Sequence, residues 1–219
     1  MTEWRLFRGW TSEELRVRLD RLATVPTNFE GAEEELTAER RWHHWHSEAV
    51  IAREADASDV RFARARVALA NYQFSDPRIV VAHFDPRGAL LGRRIILEIK
   101  VFGLHCLCAA VVTQVRDEGD VFGFRYDTLD WHIERGMEWF LLTRDEHGDI
   151  RFRIEARWQR GVLPNWWMRA GFAVLAGYYQ RKWHRRAHRR LSRFAHDGST
   201  SRQRTDVTFT YHTQRKWPT

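Results

Sequence analysis

"DIRFRIEARW", Asp149 to Trp158, followed after a short break by "PNWWMRAGFAVLAGYYQRKWHRRAHRRLSRF", Pro164 to Phe194, decides the fold. In the first stretch Ile150, Phe152, Ile154, Ala156 and Trp158 alternate with Arg151, Arg153, Glu155 and Arg157. A period of two with one dry and one wet side predicts an antiparallel strand whose outer face meets solvent. In the second stretch the period lengthens. Phe172, Leu175, Tyr179, Trp183, Ala187, Leu191 and Phe194 recur every three or four residues, with the Arg and Lys set elsewhere. This predicts a helix from Pro164 to Phe194, about 45 Å long at 1.5 Å per residue. Pro164 suits its first turn, and Gly171 and Gly177 weaken its first half.

Working back from there, the same period of two recurs in "RIVVAHFD", "RRIILEIKVFG", "LHCLCAAVVTQVRDEG", "DVFGFRYDTL" and "GMEWFLLTRDEHG", mostly separated by Gly- or Asp-bearing turns. "RWHHWHSEAVIAR" reads as a further strand, with His44 and His46 on one face and His43 and Trp45 on the other. Two helices precede the meander. "TSEEL" from Thr11 is a capping box, and Leu15, Leu19 and Leu22 give it an apolar stripe that ends before Pro26. Ser58 to Phe74 carries Val60, Ala63, Val67, Ala70 and Phe74 at helical spacing, with Arg61, Arg64 and Arg66 opposite. "PTNFEGAEEELTAER" between them reads as an acidic loop with a turn of helix.

A sheet with one dry face needs a cover, and only the C-terminal helix is long enough. The predicted class is therefore α+β: a curved antiparallel sheet of six to seven strands wrapped around a long C-terminal helix, with short N-terminal helices. This is the helix-grip arrangement, in which the hollow between sheet and helix forms a cavity. Residues 1–194 make one domain in this reading, and 195–219, rich in Ser, Thr and Arg, make a flexible tail.

Composition narrows the function classes. With 43% hydrophobic and 30% charged residues the chain has the make-up of a water-soluble globular protein. The longest run without Asp, Glu, Lys or Arg, Val101 to Val115, falls short of the roughly 20 residues of a membrane-spanning helix. The start, "MTEWRLFRGW", lacks the apolar core of a signal peptide, which predicts a cytoplasmic protein. The net charge of +7 is uneven: residues 165–194 hold eight basic and no acidic side chains, whereas residues 1–164 are mildly acidic. Cys106 and Cys108, two apart on one strand face, read as buried thiols. Neither this pair nor His44 with His46 has the further ligands a metal needs, so no metal and no cofactor is expected. Nucleophile elbows and phosphate-cradling glycine loops are absent from the sequence as well.

"FGFRYDTLDWHIERGMEWFLL", Phe122 to Leu142, is the most suggestive stretch for a site. If it folds as a hairpin, one register sets Glu138, Phe140 and Leu142 beside Phe122, Phe124 and Tyr126. Shifting by one residue substitutes Met137, Trp139 and Leu141 and exposes Glu138. A carboxylate facing an apolar interior needs a partner. Tyr126 could donate to it, and His132 at the hairpin end could pair with it, which makes Glu138, His132 and Tyr126 the candidate acid–base residues. Glu98 and Lys100 share one strand face, expected to be the wet one.

The segment Gly123 to Phe140 resembles the pattern G-F-x-Y-x-T-L-x-x-H-x-x-x-G-x-E-x-F of the family called domain of unknown function 1990, with Tyr126, Thr128, Leu129, His132, Gly136, Glu138 and Phe140 in place. "FARARVALANYQF" is similar to the helix after that family's first strand, and "WHRRAHRRLSRF" to its Arg-rich helix end. The likeness spans roughly residues 5–194, and "NFEGAEE" departs from the family's "NYxEVGAT". The resemblance implies the START-like helix-grip superfamily and favours the register that keeps Glu138 inside. The dry strand faces and the helix stripe together predict a soluble protein that binds a hydrophobic or amphiphilic small molecule, lined by Phe122, Phe124, Tyr126, Thr128, Glu138, Phe140, Phe152, Ile154, Phe172, Leu175 and Tyr179. The alternatives are a cyclase-, hydratase- or isomerase-type enzyme in the same cavity, and binding of nucleic acid or a membrane through the Arg-rich helix end from Arg181 to Arg193, where Arg185, Arg186, Arg189 and Arg190 are expected to face solvent. Nucleic acid is disfavoured, because no RNA-reading motif accompanies the arginines.

Overall fold

A computed structural model describes residues 3–53, 58–161, 166–196 and 208–212, without the side chains of 166–176 and 208–212. Its strands are β1 (Glu3–Leu6), β2 (His43–Ala52), β3 (Val80–His83), β4 (Arg94–Val101), β5 (Leu104–Glu118), β6 (Val121–Thr128), β7 (Glu134–Arg144), β8 (Ile150–Arg160) and β9 (Thr208–His212). Its helices are α1 (Ser12–Arg21), α2 (Asp59–Ala70) and α3 (Trp166–Ala195). All strands join one antiparallel sheet in the order β3-β4-β5-β6-β7-β8-β2-β9, and β1 lies beside the start of β5.

The long period-two runs and the 30-residue helix stand where the sequence puts them. The two strands beyond the expected seven are short. β1 pairs with Leu104–Leu107, and β9 lies on the free edge of β2, inside the segment read as a flexible tail. "TFTYH" alternates β-branched and aromatic residues, the composition that fits a pleated edge.

The inner face of the sheet, with Leu97, Cys108, Ala110, Phe124, Phe140, Phe152 and Ile154, packs against α2 and α3. Both cysteines are buried free thiols on this face. On α3 the buried positions are Trp183, His184, Ala187, His188, Leu191, Ser192 and Ala195. Phe194 is instead partly exposed, because the inward face passes through residue 195.

Helix α2 forms as expected, its N-terminus capped by Ser58, but it turns a different face inward. Phe62, Ala65, Ala68 and Leu69 are buried, whereas Val60 and Val67 are exposed. In so alanine-rich a helix two stripes of similar polarity compete, and the larger Phe62 and Leu69 win the core.

The outer face is only partly wet. Leu15, Leu22 and Val25 cover Ile96, Leu107, Ala109 and Leu129, while Phe29, Leu36 and Trp42 cover Met137 and Trp139. The capping box predicted at Thr11 and Glu14 starts the helix that carries this cover. Glu98 is accordingly buried beneath the N-terminal segment rather than solvated, between His83 (3.1 Å) and His105 (2.6 Å).

Candidate functional site

Register builds the site. Across β6 and β7, Tyr126 lies opposite Glu138, Phe124 opposite Phe140 and Phe122 opposite Leu142. Glu138 is next to Ala156 on β8, and Ala156 to Trp45 on β2. The neighbouring row runs Phe124, Phe140, Ile154, Ser47. Large rings on β6 and β7 thus give way to Ala156 and Ser47, and over these small residues α3 seats its side chains.

Two imidazoles fill that space. His184 and His188, four residues apart, lie on one helical face and are fully buried. Ser47 Oγ sits 2.8 Å from His184 Nδ1 and 2.8 Å from His188 Nε2. The His184 ring meets the Trp45 ring edge-on at 3.5 Å, and His188 packs on Phe152 at 5.0 Å. His184 Nε2 then points toward Glu138 Oε1, 3.9 Å away, beyond hydrogen-bond reach. Among the described residues neither that nitrogen nor His188 Nδ1 has a hydrogen-bond partner.

On its other oxygen Glu138 accepts a hydrogen bond from the Tyr126 hydroxyl. Tyr72 stands against this pair, its ring within 5.6 Å of Phe140. Tyr72 follows the end of α2 with φ of 57°, a left-handed backbone that a residue with a large side chain rarely adopts. That conformation turns the chain back so that the phenol enters the core.

Burial dominates the electrostatics. It pushes the Glu138 carboxyl up to about 8, helped by the nearby carboxylate of Glu134 and opposed by the Tyr126 hydrogen bond. Burial holds His188 down at about 3 and His184 well below the usual imidazole range, the latter helped by His188. Desolvation, and then the Glu138 charge, raise both phenols. Near neutral pH the cluster is therefore an uncharged acid facing an uncharged base across a short gap. One proton shift from carboxyl to imidazole would create an ion pair. Such a site can donate to, accept from, or exchange a proton with a polar group placed between them.

The other sequence candidates sort as follows. Phe122, Phe124, Phe140, Phe152 and Ile154 are buried on the inner face around the cluster. Thr128 is spent on the hairpin: its hydroxyl accepts from the Gly136 N–H (2.8 Å) and donates to Asn28 Oδ1 (2.6 Å). Gly136 is needed there, since a Cβ would come within 2.0 Å of the Arg157 carbonyl oxygen. His132 does not pair with Glu138. The chain turns tightly after Leu129, and its Nδ1 accepts the Glu134 N–H at 3.0 Å. Tyr179 is half-buried and packs on Phe102 at 5.6 Å. Phe172 and Leu175 lie outside the described side chains. Of the arginines expected to face solvent, Arg185 and Arg189 are exposed. Arg186 pairs with Asp76 at 2.5 Å, and Arg190 donates to the Gln73 carbonyl at 3.2 Å.

Sequence reasoning missed Tyr72, Ser47, His184 and His188. A signal was present in "WHRRAHRRLS": its two histidines fall on the stripe of Ala187, Leu191 and Ala195, and the arginines avoid it.

The sequence model of a family described as "Domain of unknown function (DUF1990)" matches residues 27–190. Over 86 residues the chain is 36% identical to a UPF0548 protein of Deinococcus radiodurans, a match that covers 39% of this chain and 38% of that one. Among solved structures, Ara h 8.0201 is similar with a TM-score of 0.46 at 10% identity, covering 71% of this chain and 99% of the other. Human STARD10 gives 0.44 at 8%, covering 89% and 84%. Norcoclaurine synthase from Thalictrum flavum, in complex with dopamine and hydroxybenzaldehyde, gives 0.44 at 8%, covering 73% and 88%. Among the described residues no helix is long and apolar enough to cross a membrane.

Proposed function

The chain belongs to the DUF1990 family, and we propose that it binds a hydrophobic or amphiphilic small molecule between its sheet and α3, with the ligand's polar end at Glu138, Tyr126 and His184. One observation carries this reading: the fully buried His184 Nε2 lacks a hydrogen-bond partner and stands 3.9 Å from Glu138 within an aromatic wall. An unpaired buried polar group costs about 1–3 kcal/mol, which a ligand oxygen or nitrogen bridging imidazole and carboxyl would recover. Apolar walls with a few convergent polar groups are the usual form of a small-molecule site.

Mass spectrometry of the small molecules released when purified protein is denatured tests the reading. A compound with an apolar body and one polar end, released in near-equal molar amount, is the expected result. The reading fails if the protein releases no such compound and also gives no saturable signal with a fluorescent fatty acid.

The protonated Glu138 beside a neutral imidazole also favours a second reading, an acid–base enzyme on the same ligand. Glu138→Gln separates the two. A carrier keeps its ligand with altered affinity, whereas an enzyme binds and no longer turns over.

A further inference from the structure

Ten large hydrophobic side chains are exposed among the described residues, and four of them gather at one end of the sheet: Leu6, Phe7, Phe102 and Tyr178. Phe7 follows β1, and Phe102 makes the turn between β4 and β5. The Phe7 N–H donates to the Gly103 carbonyl at 2.6 Å, which locks the two turns together. A Cβ on Gly103 would lie 2.7 Å from the Phe7 ring, so the ring rests flush on bare backbone. Phe102 reaches Tyr179, and Tyr179 touches Tyr178 at 5.5 Å, which joins the turns to α3.

The backbone makes this patch unusual. Phe7 has φ of 57° and Phe102 of 48°, positions where glycine or asparagine is expected at a turn. Both rings are nevertheless almost wholly in water, at 84% and 74% exposure. Two phenylalanines therefore bear local strain and recover little burial in the isolated chain. Strain of this kind gathers at sites that act on something else.

The surroundings say what that is. Arg8 follows Phe7 directly and is exposed; Arg181 and Lys182 lie one helical turn beyond Tyr178, with the Lys182 ammonium 5.6 Å from the Tyr178 ring. No ion pair holds Arg8, Arg181 or Lys182 among the described residues, and neither the 100–104 turn nor α3 contains an acidic residue. Projecting aromatic tips ringed by unneutralised cations are complementary to an anionic bilayer, in which the rings enter the headgroup region and the cations meet phosphate. We propose that the Phe7–Phe102–Tyr178 ridge docks this protein on anionic lipid surfaces. The proposal does not depend on the ligand reading above.

Sedimentation of the full chain with phosphatidylcholine vesicles, and with vesicles containing about one-third phosphatidylserine, tests it. The chain should sediment with the anionic vesicles and much less with the neutral ones. In Phe7→Gly/Phe102→Gly, binding should fall by at least about tenfold, as loss of two inserted rings requires. Glycine accepts the left-handed backbone, so the thermal midpoint should hold or rise. If that variant does not fold, Arg8→Glu/Lys182→Glu carries the test, with the same loss expected. Absence of wild-type binding to anionic vesicles overturns the proposal, and so does binding that survives in the folded variants. A concentration-dependent dimer in sedimentation velocity that the Phe variant abolishes, without vesicle binding, assigns the ridge to self-association and also overturns it.

Discussion

Replacing Glu138 by Gln is the sharpest probe of the buried cluster. The folded protein holds the Glu138 proton up to about pH 8, against an ordinary value of 4.5 for the unfolded chain. Between those values the folded state binds the extra proton, so stability is present at low pH and is lost as pH rises. Each pH unit in this window costs about 1.4 kcal/mol, or about 2–3 kcal/mol between pH 6 and pH 8. Glutamine keeps an oxygen to accept from Tyr126 and has no proton to lose. Urea denaturation at the two pH values should show wild type losing about 2–3 kcal/mol more than Glu138→Gln. The acid limb supplies an internal control. His188, held at about 3 against 6.5, contributes stability that is lost as pH falls below the ordinary imidazole value, and it should do so equally in both proteins. If the two proteins change in parallel between pH 6 and 8, to within about 0.5 kcal/mol, Glu138 titrates as a solvated carboxylate and the uncharged acid–base pair does not exist.

Ser47→Ala removes the hydroxyl that bridges His184 and His188, and should cost about 1–3 kcal/mol in denaturant melts without a change in helix content. Trp183 is buried against Phe74 and Phe140 and donates from Nε1 to Ser75 Oγ at 2.9 Å, so Trp183→Ala should cost about 3–5 kcal/mol. A loss below about 1 kcal/mol would mean that α3 is held by other contacts.

The parts of the fold legible in the sequence are those where one periodicity has no rival. Ile150 to Trp158 alternates without exception, and Trp183, Ala187 and Leu191 keep helical spacing among arginines that have nowhere to go but out. Reading fails where two faces are similar. In α2, Val60 and Val67 compete with Phe62 and Leu69, and nothing local says which pair meets the sheet. The outer cover was hidden for a related reason: Ile96, Leu107, Met137 and Trp139 are apolar on the side read as wet, and only the arrival of the N-terminal segment explains them.

For the site, alternation leaves two registers open, and the family pattern favours the one the structure has, with Glu138 opposite Tyr126. Its other half does not. Ser47 is 137 residues from His184, and no short-range rule joins them. Histidine among arginines also looks like one more solvated base. Desolvation by the sheet is what makes it a neutral acceptor, and desolvation is a property of the assembled layers.

The clothing of the outer face has a consequence for where the folded unit can be cut. The family match begins at residue 27, yet Leu15, Leu19 and Leu22 precede it and seal Ile96, Leu107, Ala109 and Leu129. A chain cut at that boundary would present water with a continuous greasy panel on the back of β4 and β5, of the kind that drives soluble proteins to aggregate. The stretch that the family model matches is therefore shorter than the stretch over which this apolar face is covered. Leu15, Leu19 and Leu22, ahead of the matched residues, make the difference.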